Sequence, residues 1–479
     1  MNLNPNQWKR TPLAVALGLS LGLSPAVADE ISWSVDYPDH MELGDYPRSI
    51  DEADPREELT RILEQLQEEG YPHLYADADA DARQIHILEA DHVAEGPLKA
   101  YLGEDLSRTE GNLPLMDEAA RARGGEPSID YGAVEDGEIP VRAEVEETDR
   151  DFIGAMVSSY GGRHTGENVA TVLFQQSALN TNWSGSYSRG LEFLTPSDAE
   201  DGRYDAISLK GEHPTPVGVF WAELGYSESK QGGDLTLFDL NSEVYRGSLG
   251  YRLPQGNWEP YAQVNTFRQV SNIGLVELDG EQRTTSLEAG MEMRHSIDTP
   301  ADAPLSLVWN ASLEQGLDTR TSGFGLGRDP DNSWTRLTGD VELAQPLNEW
   351  LFSLRAGFQE NNGTLPNIRD FTIGGQHRGN GYRQGVASVT DGQYAGFRMA
   401  SPRLGGDTFQ ARPFVGYNAS TGRPEVGDRK SIQSVEAGLN IRLTDHVSGE
   451  LGYAWVTNDR NIETDEGTGR ANFHLIARW

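Results

Sequence analysis

Three short patterns in this sequence have the spacing of reactive or ligand-binding motifs, and none of them supplies chemistry. Gly18-Leu19-Ser20-Leu21-Gly22 has the spacing of a hydrolase nucleophile turn. It lies inside residues 1–28, which read as a secretory signal: Lys9 and Arg10, an apolar run over 13–23, then Ala26-Val27-Ala28 as the small-residue cleavage site. Asp77, Asp79 and Asp81 alternate as in a calcium loop, but that loop needs glycine at its sixth position and glutamate at its twelfth. Ala82 and Leu88 stand there. The run from Gly323 through Gly325 to Gly327 has no following helix to turn it into a phosphate cradle. The 10 histidines form no recognisable motif with a serine or an acid. These residues point to no enzyme, no cofactor and no metal.

The stretch with the most unusual composition runs over residues 371–398, FTIGGQHRGNGYRQGVASVTDGQYAGFR. It separates two alternating segments, 350–359 and 394–400, and is too long and glycine-rich for a hairpin turn. Long irregular segments inside ordered domains are usually functional. The expectation is a loop, 361–393, folded back into the lumen of an outer-membrane β-barrel.

The segments that would position it begin near residue 149. Each is about ten residues long and alternates apolar with polar, as a half-buried strand does. Leu337, Gly339, Val341 and Leu343 alternate with Arg336, Thr338, Asp340 and Glu342. Val435, Ala437, Leu439 and Ile441 alternate with Glu436, Gly438 and Asn440. About sixteen such segments follow one another. Short links at 214–218, 254–257, 345–349, 405–407 and 444–446 alternate with long ones at 195–203, 270–282, 317–333, 361–393 and 458–468. Short turns at one end and long loops at the other are the pattern of a membrane barrel, as is an aromatic residue, Trp479, at the end of the last strand. The fold expected is mainly β, a 16-stranded antiparallel transmembrane barrel over residues 148–479.

Composition agrees. There are 53 glycines, 17 tyrosines and 10 tryptophans, and no cysteine, so disulfide scaffolds and thiolate metal sites are excluded. The formal net charge of -36 argues against nucleic acid, whose phosphates demand the opposite sign. No apolar run after residue 28 is long enough for a transmembrane helix.

Ahead of the barrel, residues 29–54 read as a flexible, acidic lead. Residues 55–147 repeat helix–strand–strand twice. Asp54 is expected to cap the first helix, with Pro55 at its first position and Glu57 completing a capping box. Leu59, Ile62, Leu63 and Leu66 share one face, and Gly70 is the stop. Strands are expected at 73–78 and 84–93, a second helix at 113–123, and strands at 128–134 and 140–146.

Taken together, these features resemble the transporters of two-partner secretion, the TpsB or hemolysin-activator proteins, relatives of the BamA barrels. The resemblance covers roughly residues 55–479. The segment over 141–167 is similar to the family's passage into its first barrel strands, through Gly162, Thr165, Gly166 and Glu167. The family's F-x-x-GG-x-x-x-V-R-G-[FY] pattern is met by Phe371, Gly374, Gly375, Gly381 and Tyr382. Strict spacing puts Asn380 where the family has its arginine, and Asn418 where the thirteenth strand has the aspartate that arginine reaches. Alternation puts Ala411, Pro413, Val415 and Tyr417 outward, so Asn418 faces the lumen.

Losing both charges strands neither. Two readings stay open: a neutral Asn380–Asn418 contact, or a cation supplied by Arg378 or Arg383 to another lumenal acid. The resemblance also implies a function. POTRA-like periplasmic modules would recognise a secreted, β-helical exoprotein, through Leu59, Ile62, Leu66, Ile85 and Ile87, and the barrel would pass it to the cell surface or medium. The remaining expectations are a monomer in outer-membrane lipid of a Gram-negative bacterium. The alternatives are a passive porin, or an assembly factor for other outer-membrane proteins.

Overall fold

The computed structural model describes residues 32–38, 46–51, 55–68, 74–79, 82–89, 91–102, 113–132, 138–148, 150–162, 165–191, 202–299, 303–323, 329–406, 409–462 and 468–479. The secretory signal, Asp54, Gly70 and half of the acidic lead lie outside these residues. The chain divides into two compact units, residues 1–148 and 149–479.

The first unit holds two small α+β modules. Module one contains β1 (Trp33–Asp36), β2 (Ser49–Ile50), α1 (Arg56–Glu68), β3 (Leu74–Asp79) and β4 (Gln84–Glu89). Its sheet has the order β2-β1-β4-β3, with β1 parallel to β4. Module two contains β5 (Asp91–Glu95), α2 (Leu113–Arg121), β6 (Gly125–Tyr131) and β7 (Glu138–Glu147), in the order β5-β7-β6, with β5 parallel to β7. The topology is therefore the same twice: a strand, a helix and a hairpin whose last strand lies beside the first.

Four expectations are corrected here. The lead is not wholly flexible, because Trp33 and Val35 alternate with Ser34 and Asp36 and bury themselves with Ile50 under α1. The strand expected over 84–93 is two strands, β4 and β5, belonging to different sheets. The five proposed partner-binding residues are core: Leu59, Leu66 and Ile85 are 0% exposed, Ile62 and Ile87 2%. The period that placed the helical residues on one face is the period of a packed face, so these side chains are not available to a partner. Pro55 also sits one position earlier than expected, its carbonyl accepting the first helical bond from Leu59 at 2.9 Å.

The second unit is a closed barrel. Its strands begin with β8 (Phe152–Ser158), β9 (Asn168–Ala178), β10 (Thr181–Leu191), β11 (Arg203–Thr215), β12 (Gly218–Lys230) and β13 (Leu240–Arg252). β14 (Trp258–Ile273), β15 (Leu278–Ile297), β16 (Leu305–Gly323), β17 (Thr335–Leu347) and β18 (Trp350–Asn362) complete the first eleven. A lumenal hairpin follows, β19 (Phe371–Ile373) and β20 (Ala387–Val389). β21 (Asp391–Ala400) and its short continuation β22 (Leu404–Gly405) make the twelfth barrel strand. β23 (Gln410–Arg423), β24 (Lys430–Arg442), β25 (Val447–Arg460) and β26 (Gly469–Arg478) bring the count to sixteen, all antiparallel. β26 returns to pair with β8, from His474 opposite Ser158 to Arg478 opposite Gly154.

The outward faces carry Ile207, Leu224, Leu249, Val264, Leu313 and Leu337, all more than 40% exposed. A soluble sheet would not leave so continuous an apolar belt in water, whereas a membrane barrel requires one. The link expected over 270–282 is mostly strand: β14 and β15 stay paired out to Ile273 and Leu278. Polar pairs such as Arg268–Glu281, 2.8 Å apart, carry the sheet past the belt, and polarity there imitated a loop.

Leu66→Ala in the full-length chain should remove about 2–5 kcal/mol from module one. Limited proteolysis should then cut within residues 33–89 while the barrel keeps its folded electrophoretic mobility. Equal protection of both proteins would contradict the packing described.

Candidate functional site: the lumenal loop

The chain between β18 and β21 turns inward and docks on the barrel wall. Its core is apolar: Phe371, Ile373, Tyr382, Ala387 and Val389 pack with Ile432 of β24. Its tip is folded by its own backbone. Gly374 N–H donates to the Arg378 carbonyl at 2.9 Å and Gly375 N–H to the Tyr382 carbonyl at 3.1 Å. Gly374 and Gly375 have φ of 91° and 78°, the left-handed region in which a side chain is disfavoured. Gly381 is needed for a different reason, since a Cβ there would lie 2.5 Å from the Val456 side chain of β25.

The structure brings Asn380 and Asn418 together. Asn380 N–H donates to Asn418 Oδ1 at 3.2 Å, and both residues are buried. The contact is not between two side-chain amides. Asn380 Nδ2 donates instead to Glu436 of β24, its Oδ1 accepts from His377 N–H at 2.7 Å, and its carbonyl accepts from Asn472 Nδ2 at 2.9 Å. Asn418 Oδ1 also accepts from Ser434 Oγ at 2.6 Å.

Arg383 pairs with Glu167, 216 residues away, and both side chains are largely buried. Arg378 pairs with no acid among the described ion pairs. Its guanidinium lies 4.3 Å from the Phe371 ring centre and 5.1 Å from that of Tyr394, a cation–π stack. Its carbonyl takes a hydrogen bond from Ser420 Oγ. Tyr382 donates its hydroxyl to Asp459.

The sequence reading missed where the cation beside Asn380 resides. It is Arg398, on the wall. Arg398 reaches Glu436 at 2.9 Å and Glu450 at 2.6 Å, and lies 4.0 Å from the Phe414 ring centre. Glu436 thus bridges the wall arginine and the loop asparagine. The signal was present: alternation in β24 turns Glu436 inward when Val435 and Ala437 face out. A second missed anchor lies where the loop begins. Arg369 and Arg336 both hold Glu314 of β16, at 2.7 and 2.6 Å, and Gln359 Nε2 donates to the Arg369 carbonyl at 2.8 Å.

His377 is the third missed residue. Its Nε2 lies 2.6 Å from Arg355 Nη1, and Arg355 also pairs with Glu342 at 2.8 Å. Burial, then the cations Arg355, Arg398 and Arg378, push its pKa down from 6.5 to about 3. The imidazole is neutral and accepts at Nε2 from an obligate donor.

Three solved structures have this architecture. CdiB from Escherichia coli aligns with a TM-score of 0.64 at 12% identity, over 98% of this chain and 94% of its own. CdiB from Acinetobacter baumannii gives 0.60 at 11%, over 100% and 94%. BamA from Haemophilus ducreyi lacking POTRA domains 1–3 gives 0.56 at 12%, over 90% and 95%. The chain has the fold of CdiB and BamA. At this identity the likeness is one of fold. No family model and no curated protein sequence matches the chain.

Arg383→Gln should strand Glu167 and weaken loop docking by about 3–5 kcal/mol. Adding Glu167→Gln should restore part of the loss. Hydrogen exchange of the amides over 374–382 reads this directly. A double variant that exchanges as fast as the single one would show that the pair does not fasten the loop.

Proposed function

We propose that this protein is a two-partner secretion transporter of the Gram-negative outer membrane. It takes a partner exoprotein from the periplasm and passes it through the barrel lumen to the surface or medium. The observation that carries the reading is the docked lumenal loop, an inward-folded segment fastened to β16, β18, β23, β24, β25 and β26 by polar and charged side chains. A simple pore has no need of so many anchors on one removable element.

The α+β unit serves as the periplasmic receiver. Because Leu59, Ile62, Leu66, Ile85 and Ile87 are packed inside, recognition is assigned to main-chain groups. Among the described residues each sheet ends in two edge strands, β2 and β3 in module one and β5 and β6 in module two. An extended segment of an unfolded exoprotein can add to such an edge by β-augmentation. A partner rich in strands, of β-helical character, suits that mode. Folding of the partner outside supplies the driving force.

The assembly-factor reading draws support from the likeness to BamA, and the porin reading from the barrel alone. They differ in what depletion does: an assembly factor's loss removes other barrels, and a porin's loss removes a steady conductance.

Co-expression with the exoprotein encoded beside it should release that exoprotein into the medium. Deletion of residues 55–147 should abolish release while the barrel still inserts. Release that survives the deletion would remove the receiver role, and no release from either form would favour a pore.

A further inference from the structure

The groups around His377 come from five wall strands and from the loop itself. β18 contributes Arg355, β17 Glu342, β21 Arg398, β24 Glu436 and β23 Asn418, and the loop itself adds Arg378. A cavity of about 210 Å3 lies between them, lined by His377, Glu342, Arg355, Arg398, Asn418 and Glu436. The charges are already assigned. Glu342 holds Arg355, Glu436 and Glu450 hold Arg398, and Arg378 is stacked on Phe371 and Tyr394.

Only a neutral imidazole fits this arrangement. Arg355 Nη1 has nothing but hydrogens to offer, so the His377 Nε2 facing it at 2.6 Å must present its lone pair. A proton there turns the contact into two N–H groups facing each other. It also adds a fourth cation to a site whose acids are occupied. His377 is tied to Asn380 through its own N–H, so displacement of the imidazole pulls on the tip that meets Asn418 and Glu436.

We propose that acid releases the tip of the lumenal loop, with His377 as the proton sensor and Arg355 as the group that expels it once protonated. The trigger does not depend on the transport reading, and it would act equally in a pore or an assembly factor.

The sign follows from which state binds the proton. The docked loop excludes it and the released loop accepts it at the ordinary histidine value of 6.5, against about 3 when docked. Docking is therefore at full strength above about pH 6.5. The ratio of released to docked loop rises by about tenfold for each pH unit below that.

The chain has no cysteine, so two can be introduced cleanly. Spin labels at Gln376→Cys, on an exposed loop position, and Asp445→Cys, in the exposed turn between β24 and β25, report the loop's position in the full-length protein in lipid. At pH 7.5 one narrow distance is expected. Between pH 6.5 and 4.5 a second population should grow, its ratio to the first rising by about a hundredfold. His377→Gln keeps an acceptor that does not titrate, and should abolish the rise. Arg355→Gln removes the opposing cation, so the docked imidazole titrates closer to 6.5 and the acid-driven rise should shrink. The proposal is overturned if no second population forms at pH 4.5, if it forms equally in H377Q, or if the acid-driven rise is as large in R355Q as in the unaltered protein.

Discussion

A chain that crosses hydrocarbon must satisfy every backbone N–H and C=O within the protein, because the lipid offers neither donor nor acceptor. Closure of β26 onto β8 meets that demand, since it removes the last two free edges of the sheet. The pairing is short, five residue pairs from His474 to Arg478, and flanking bonds extend it. Ile153 and Trp479 exchange N–H and C=O at 3.1 and 2.9 Å, and Ser159 N–H donates to the Phe473 carbonyl at 2.9 Å. The apolar belt outside and the polar lumen inside both follow once the sheet is closed, because alternation leaves only those two faces.

Inside the barrel the constraint changes from backbone to charge. The wall turns Glu314, Glu342, Glu436 and Glu450 toward the interior, and each is met by an arginine. Some of those arginines belong to the wall and some to the loop. Arg369 and Arg383 are loop cations on wall or rim acids, while Arg398 keeps its pairs whether or not the loop is present. The tip at Asn380 is therefore fastened by hydrogen bonds alone, between two stretches fastened by ion pairs.

Much of this was legible in the sequence. Period two gave the strands and their count, and parity alone turned Asn418 and Glu436 inward. The inward-folded loop was marked by its glycines and its length. What was not legible falls into two kinds. Strand ends beyond the membrane looked like loops, because Arg268, Glu281 and their neighbours are polar on the outward face, where a lipid-facing strand is apolar. Short elements such as β1 offered too few residues for a period to show. Contacts across the lumen were the other kind: nothing local to Glu167 indicates Arg383, and nothing local to His377 indicates Arg355. Such pairs are set by barrel curvature, not by neighbours in the chain. The helical face of Leu59, Ile62 and Leu66 shows a related error, since an apolar stripe reports that something covers it, and here the module's own sheet does.

The strands are far from equal in length, and this shapes the mouth of the barrel. β15 and β16 have 20 and 19 residues, while β8 and β26, on the opposite side of the ring, have 7 and 10. At about 3.3 Å per residue and a tilt near 40°, β15 rises about 50 Å, roughly twice the height of an apolar belt of about 25 Å. β8, with 7 residues, rises only about 18 Å by the same measure and falls short of that belt. The rim is thus lopsided, a tall parapet facing a low sill, and the sill is the closing seam. Within the lumen the strand wall is therefore lower on the seam side than on the side of β15 and β16.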